Sequence, residues 1–239
     1  MGETVSYKLT STLSDMNGYE KYTYIIHDEL EGGLTFNGVD SMTVTVGGEN
    51  YKDNCEVTYS TDGTSLEQRF AVTNTGDVDL PFTLGGHPAF NVPMPGAEGE
   101  GFDDYALVFA KAWSPSVPVI DEKGIHDFGR MTQLMEDSRE LALSHELIDR
   151  HATLVFHDVP QSRVALVGKR RNHGVELEFP GFDSLGVWTA STEAPFVAVE
   201  PWHGCASAYD EGERFEEKRS TMVLAPGQSR KLAFTITPF

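Results

Sequence analysis

The chain has 239 residues, 39 % of them hydrophobic and 23 % charged, with 18 Lys and Arg against 37 Asp and Glu for a net charge of −19. That balance fits a folded globular protein whose field repels phosphate backbones, which disfavours nucleic acid and polyanionic substrates. The longest apolar runs, around 154–156 and 196–199, fall far short of the roughly 20 residues a membrane helix needs, and no basic-then-apolar leader opens the sequence, so a cytoplasmic location is expected.

In chain order the patterning is β almost throughout. Strands are predicted at 5–10, 19–26 and 42–46. Val57 and Tyr59, then Phe70 and Val72, alternate with other residues on either side of Thr61-Asp62-Gly63-Thr64, a turn signal that predicts a hairpin. Asn74-Thr75-Gly76-Asp77 marks the next turn, and strands follow at 80–84, 105–109, 153–157, 163–168, 175–179, 185–190 and 196–200. Leu232, Phe234 and Ile236 alternate with Ala233, Thr235 and Thr237 in a last strand with one buried face. Helix longer than one turn is predicted only at 130–137 and 143–150, and the Pro- and Gly-rich stretch 92–104 reads as a surface loop. Many strands joined by short links imply an all-β sandwich of antiparallel sheets in one domain spanning 1–239. Cys55 and Cys205 have no metal-ligand spacing and read as free thiols.

Two segments could carry chemistry. In Phe82-Thr83-Leu84-Gly85-Gly86-His87-Pro88-Ala89-Phe90-Asn91 a strand runs into two glycines and a histidine that the following proline restricts to extended backbone. An imidazole presented there suits general acid work, since histidine titrates near neutrality; a histidine that merely satisfies a turn is the alternative. In Ala194-Pro195-Phe196-Val197-Ala198-Val199-Glu200-Pro201-Trp202-His203-Gly204 a carboxylate ends an apolar strand. Burial beside Phe196, Val199 and Trp202 would raise its pKa towards that of a general base, whereas a side chain turned to water would do nothing of the kind. Trp202 offers a flat face on which sugar C–H groups pack, or it is core. Trp188 reads as core ahead of the alternative, an aromatic wall of a ligand pocket. His126, His145, His151, His157 and His173 read as surface or turn residues, and Lys169-Arg170-Arg171 as a solvated loop.

These two segments, the Leu185-Gly186-Val187-Trp188-Thr189 stretch between them, and the closing Phe215-Glu216-Glu217-Lys218 and Leu224-Ala225-Pro226-Gly227-Gln228 resemble the aldose 1-epimerase (galactose mutarotase) superfamily, most closely its LacX-like branch. The resemblance covers the chain from about residue 55 to the C-terminus. It implies a large antiparallel β supersandwich and cofactor-independent isomerisation of a free aldose such as galactose or glucose. Glu200 would take the proton of the anomeric hydroxyl while His87 protonates the ring oxygen. A non-catalytic carbohydrate-binding protein on the same fold is the alternative. By the same resemblance Asn91 would bind a sugar hydroxyl or cap its turn, and Arg163 would hold an acidic sugar group or pair with a surface carboxylate. Asp158 and Trp202 are further substrate-binding candidates. No metal, nucleic acid or membrane is implied, and a homodimer is left open. The N-terminal region departs from the family's pattern. Its Trp-rich segment and its His-Gly-Phe-Ala-Arg-like stretch have no counterpart here, and His27, in Ile25-Ile26-His27-Asp28-Glu29 with no arginine after it, is the nearest candidate for the second sugar-binding histidine.

Overall fold

The computed structural model describes residues 45–46, 49–50, 55–97, 99–170, 173–190 and 194–239, all within the unit Gly38–Phe239. His27 and the strands expected at 5–10 and 19–26 lie outside the described residues, and of 42–46 only Thr45–Val46 is described, paired antiparallel with Glu49–Asn50.

Alternation of apolar and polar residues produces strands with one face to hide, and two such sheets hide theirs against each other. The larger sheet has seven antiparallel strands in the order Ser138–Ala142, Tyr105–Trp113, Arg163–Gly168, Gly174–Glu178, Ser229–Pro238, Ser65–Thr73 and Cys55–Asp62. The hairpin expected around Gly63 is present: Asp62 pairs with Ser65 across a turn in which Gly63 takes φ +60°, a value that glycine adopts without strain. The smaller sheet orders Leu154–His157, Ser184–Trp188, Phe196–His203 and then the chain around Leu84–Gly85, with Ala89–Asn91 pairing the same Phe196–His203 strand.

Between the sheets lies the core. Val164, Leu166, Leu177 and Phe234 from the larger sheet meet Leu154, Phe156, Leu185, Val187, Val197 and Val199 from the smaller one. Phe109 and Phe156 cross the gap edge to face, 5.6 Å between ring centroids, and Phe234 sits 6.1 Å from both Phe70 and Phe182. Because successive strand residues point to opposite faces, the residues that alternate with these core positions lie on the outer face of the smaller sheet. They are His157, Ser184, Gly186, Trp188, Ala198, Glu200 and Trp202, and that face carries the polar chemistry described below.

The helix expected at 143–150 is His145–His151, started by Ser144, whose Oγ accepts the Leu147 N–H at 3.0 Å. The helix expected at 130–137 is absent. Residues up to Gln133 extend the strand His126–Gln133, paired antiparallel with Ser116–Ile120. So short a segment cannot stabilise helix by itself, and an available strand partner decides the outcome. Among its described residues the 92–104 loop holds a 3-10 turn, Phe102–Asp104, and is pinned by buried Glu100, whose Oε2 lies 3.0 Å from His173 Nε2.

Phe234 is fully buried at the meeting point of the aromatic cluster. Phe234→Ala is expected to cost about 3–5 kcal/mol, read as a lower urea midpoint at unchanged slope.

Candidate functional site

Two prolines shape the site. Leu84 and Gly85 pair with His203 and Trp202, and Ala89, Phe90 and Asn91 pair with Ala198, Val197 and Phe196. The register is the same on both sides of the interruption, so His87 falls opposite Glu200. The flanking bonds confirm it: Gly86 N–H donates to Pro201 C=O and Val199 N–H donates to Pro88 C=O, each at 3.0 Å. Each of those pairs contains a proline, which has no N–H to return, so half the ladder is lost there without any slip. His87 and Glu200 occupy the non-hydrogen-bonded position between them, where facing side chains approach most closely.

The Glu200 side chain is 4 % exposed, and its Oε1 lies 3.2 Å from His87 Nε2. Its Oε2 accepts a hydrogen bond from Trp202 Nε1–H, also at 3.2 Å. Burial pushes the Glu200 pKa up to about 7, with the Trp202 hydrogen bond opposing the rise. His87 is 42 % exposed, so the pair has a sheltered carboxylate end and an open imidazole end. The indole of Trp202 is held flat by glycines on the strands to either side. A Cβ on Gly85 would lie 2.7 Å from Trp202 Cδ1, and one on Gly186 would lie 2.5 Å from Cζ2. Both positions need glycine because the ring occupies the space of the side chain.

Of the residues expected at the site, the structure brings together Glu200, His87 and Trp202 on one face. Asn91 is exposed and shares that face, paired with Phe196 at the end of the same strand. Trp188, expected in the core, is instead half-buried on the open face, edge-on to the His87 ring at 5.9 Å. Strand alternation explains the difference: Leu185 and Val187 take the core side, leaving Trp188 the other. Asp158 is exposed just beyond His157 and, with Asp183, lines a shallow cavity of about 410 Å³ that includes neither Glu200 nor His87. Arg163 lies on the far side of the larger sheet, its guanidinium 2.5 Å from Glu176.

Sequence reasoning missed several groups. His126 and His151 are buried rather than superficial. His126 Nδ1 lies 3.0 Å from Cys205 Sγ, and burial pushes that thiol up to about 12, so it is a protonated S–H that faces the imidazole. Ser184 is fully buried, with Oγ 3.0 Å from His157 Nδ1. Lys169 and Arg170 stand in the exposed loop that the sequence indicates, and there they also pair with Asp104 and Glu100. The alternation that placed Leu185 and Val199 in the core would also have placed Ser184 and His157 beside Glu200, had it been carried strand by strand.

A β supersandwich whose smaller sheet exposes an imidazole, a buried carboxylate and a flat indole defines a galactose mutarotase-like protein. The Aldose 1-epimerase family profile matches residues 15–236, and the chain belongs to that family, in its LacX-like branch. The chromosomal and plasmid-borne LacX proteins of Lactococcus lactis subsp. lactis are each 31 % identical to it over 189 residues, 78 % of this chain and 62 % of theirs. The chain therefore spans under two thirds of the length of these relatives. Two solved structures share the fold. A galactose mutarotase related enzyme from Lactobacillus acidophilus has a TM-score of 0.68 and 26 % identity, covering 77 % of this chain and 60 % of that one. A galactose mutarotase-like protein from Lactobacillus casei ATCC 334 has a TM-score of 0.64 and 27 % identity, covering 77 % and 62 %.

Two consequences of the Glu200 environment can be measured. A carboxyl whose folded pKa is raised stabilises the fold at low pH and loses that stability as pH rises through its folded value. Glu200→Gln should therefore be more stable than wild type at about pH 8.5, by at most about 3 kcal/mol, and the difference should vanish towards about pH 4, as urea denaturation at both pH values would show. Trp202→Phe removes the hydrogen bond that opposes the burial effect, so the Glu200 titration midpoint should move above about 7 in carbon-detected NMR of the side-chain carboxyl.

Proposed function

We propose that this chain interconverts the α and β anomers of a free aldose, with Glu200 as general base and His87 as general acid. The observation that carries this reading is the 3.2 Å contact between His87 Nε2 and Glu200 Oε1 at facing positions of one sheet. The anomeric hydroxyl and the ring oxygen are bonded to the same carbon, so an acid and a base that act on them together must sit this close to one another. A sugar entering the site replaces the direct contact with its own two oxygens.

In the forward step the Glu200 carboxylate removes the proton of the anomeric hydroxyl as the His87 imidazolium donates its Nε2 proton to the ring oxygen. The bond between C1 and the ring oxygen breaks, its electron pair stays with that oxygen, and C1 becomes an aldehyde. Rotation about C1–C2 presents the other carbonyl face. Reclosure returns the ring-oxygen proton to His87 and the Glu200 proton to the new anomeric hydroxyl. The pair holds the same number of protons before and after, so it needs no external proton source. The raised pKa of Glu200 matches the base to neutral pH, and with it the rate should rise through about pH 7 on the acid side. Trp202, flat beside the carboxylate, and Trp188, edge-on to His87, supply apolar surface for the sugar's C–H groups. The net charge of −19 favours a neutral sugar over a phosphorylated one.

Exchange NMR of D-galactose and D-glucose tests the assignment. Wild type should accelerate anomer exchange, and Glu200→Gln and His87→Asn should each lower kcat by about 100-fold or more. Sugar binding without acceleration would support instead the non-catalytic carbohydrate-binding alternative.

A further inference from the structure

The face that carries Glu200 continues past Trp202. Ser184 pairs with Trp202 on one side and with His157 on the other, so His157, Ser184 and Trp202 form a row across the sheet next to the row that holds Glu200. His157 Nδ1 is 3.0 Å from Ser184 Oγ, and that hydroxyl donates its one proton to Asp183 Oδ1 at 3.1 Å. With the hydroxyl proton committed, the contact between His157 and Ser184 is a hydrogen bond only if Nδ1–H is the donor. Burial lowers the His157 pKa, outweighing the opposing charge of Asp183, so the ring is neutral and keeps its lone pair on Nε2. That nitrogen is closed to solvent and has no hydrogen-bond partner among the described residues.

An acceptor held in one tautomer, buried and unfilled, is an uncommon arrangement, because buried polar atoms are nearly always paired. Its surroundings indicate what would fill it. The Phe128 ring packs against His157 with centroids 5.4 Å apart, and the Arg219 guanidinium lies over the same ring, 3.9 Å from its centroid. Arg219 Nε, a donor, is likewise buried without a partner among the described residues. A hydroxyl can give one hydrogen bond and receive another, and it carries no charge. An anion would meet Asp183 and Asp158, and could not donate to Nε2. From Glu200 to His157 is two strands across and one row along, roughly 12 Å between Cα atoms at ordinary sheet spacings. One sugar ring, with a hydrogen bond at each side, spans such a gap.

We propose that His157 Nε2 accepts a hydrogen bond from a ring hydroxyl of the bound sugar remote from the anomeric carbon, making His157 a specificity-determining residue of this site. The inference rests on the anomerase reading given above. Filling the position requires local side-chain movement, because Nε2 is closed off in the free protein.

The test combines histidine NMR with kinetics. In protein labelled with ¹⁵N-histidine, His157 should show an unprotonated Nε2 in the free state, and that resonance should shift when D-galactose or D-glucose saturates the site. His157→Phe should raise KM by about tenfold, the worth of one hydrogen bond, with kcat changed much less. It should also abolish the discrimination that wild type shows against one particular monodeoxy sugar. A protonated Nε2 in the free protein overturns this inference and leaves the anomerase reading intact. So does a sugar-saturated, active protein whose His157 resonances do not move and whose His157→Phe variant keeps its KM and its discrimination. Absence of both sugar binding and anomer exchange in wild type overturns the two together.

Discussion

Everything at this site depends on a strand pairing that survives two missing hydrogen bonds. The chain from Leu84 to Asn91 runs beside Phe196–His203 in one register, although Pro88 and Pro201 each withdraw a donor from it. A slip of one residue would turn His87 or Glu200 to the opposite face of the sheet. The register is held instead by side chains that tolerate only one alignment. Phe90 and Val197 must reach the core together, and Gly85 must lie where the Trp202 ring passes.

The two sheets divide the labour. The larger sheet is buried on one face by the smaller, and its other face is laced with ion pairs such as Arg163 with Glu176. Exposed pairs of that kind contribute little to stability, so the outer face of the larger sheet is best understood as solvated surface. The smaller sheet has the same core-facing alternation, but its outer face carries Trp188, Glu200, Trp202, Ser184 and His157. A rigid packed layer behind these residues keeps their positions, which is what the proposed proton transfer between neighbouring atoms requires.

Burial does the electrostatic tuning here. Glu200 is shielded by the indole that also donates to it, and no lysine or arginine is needed to set its pKa near neutrality. The same physics acts with opposite sign on the imidazoles of His126 and His157, whose charged forms burial disfavours. Burial thus brings the Glu200 carboxyl to about 7 and keeps the buried imidazoles of His126 and His157 in their neutral form there.

Much of this was legible in the amino-acid order alone. Alternating apolar residues identify strands because a two-residue period is a local property, and Gly-Gly-His-Pro and Val-Glu-Pro-Trp stand out because glycine, proline and a charge at a strand end are locally anomalous. His87, Glu200 and Trp202 could therefore be singled out one at a time. That His87 faces Glu200 is a matter of strand register between segments more than a hundred residues apart, and no local rule specifies it. The same holds for the placement of Trp188 on the open face, the separation of Arg163 from the site, and the contact between the Ser184 hydroxyl and His157 Nδ1. Each depends on which side of which sheet a residue occupies, and the packing of two sheets against one core decides that.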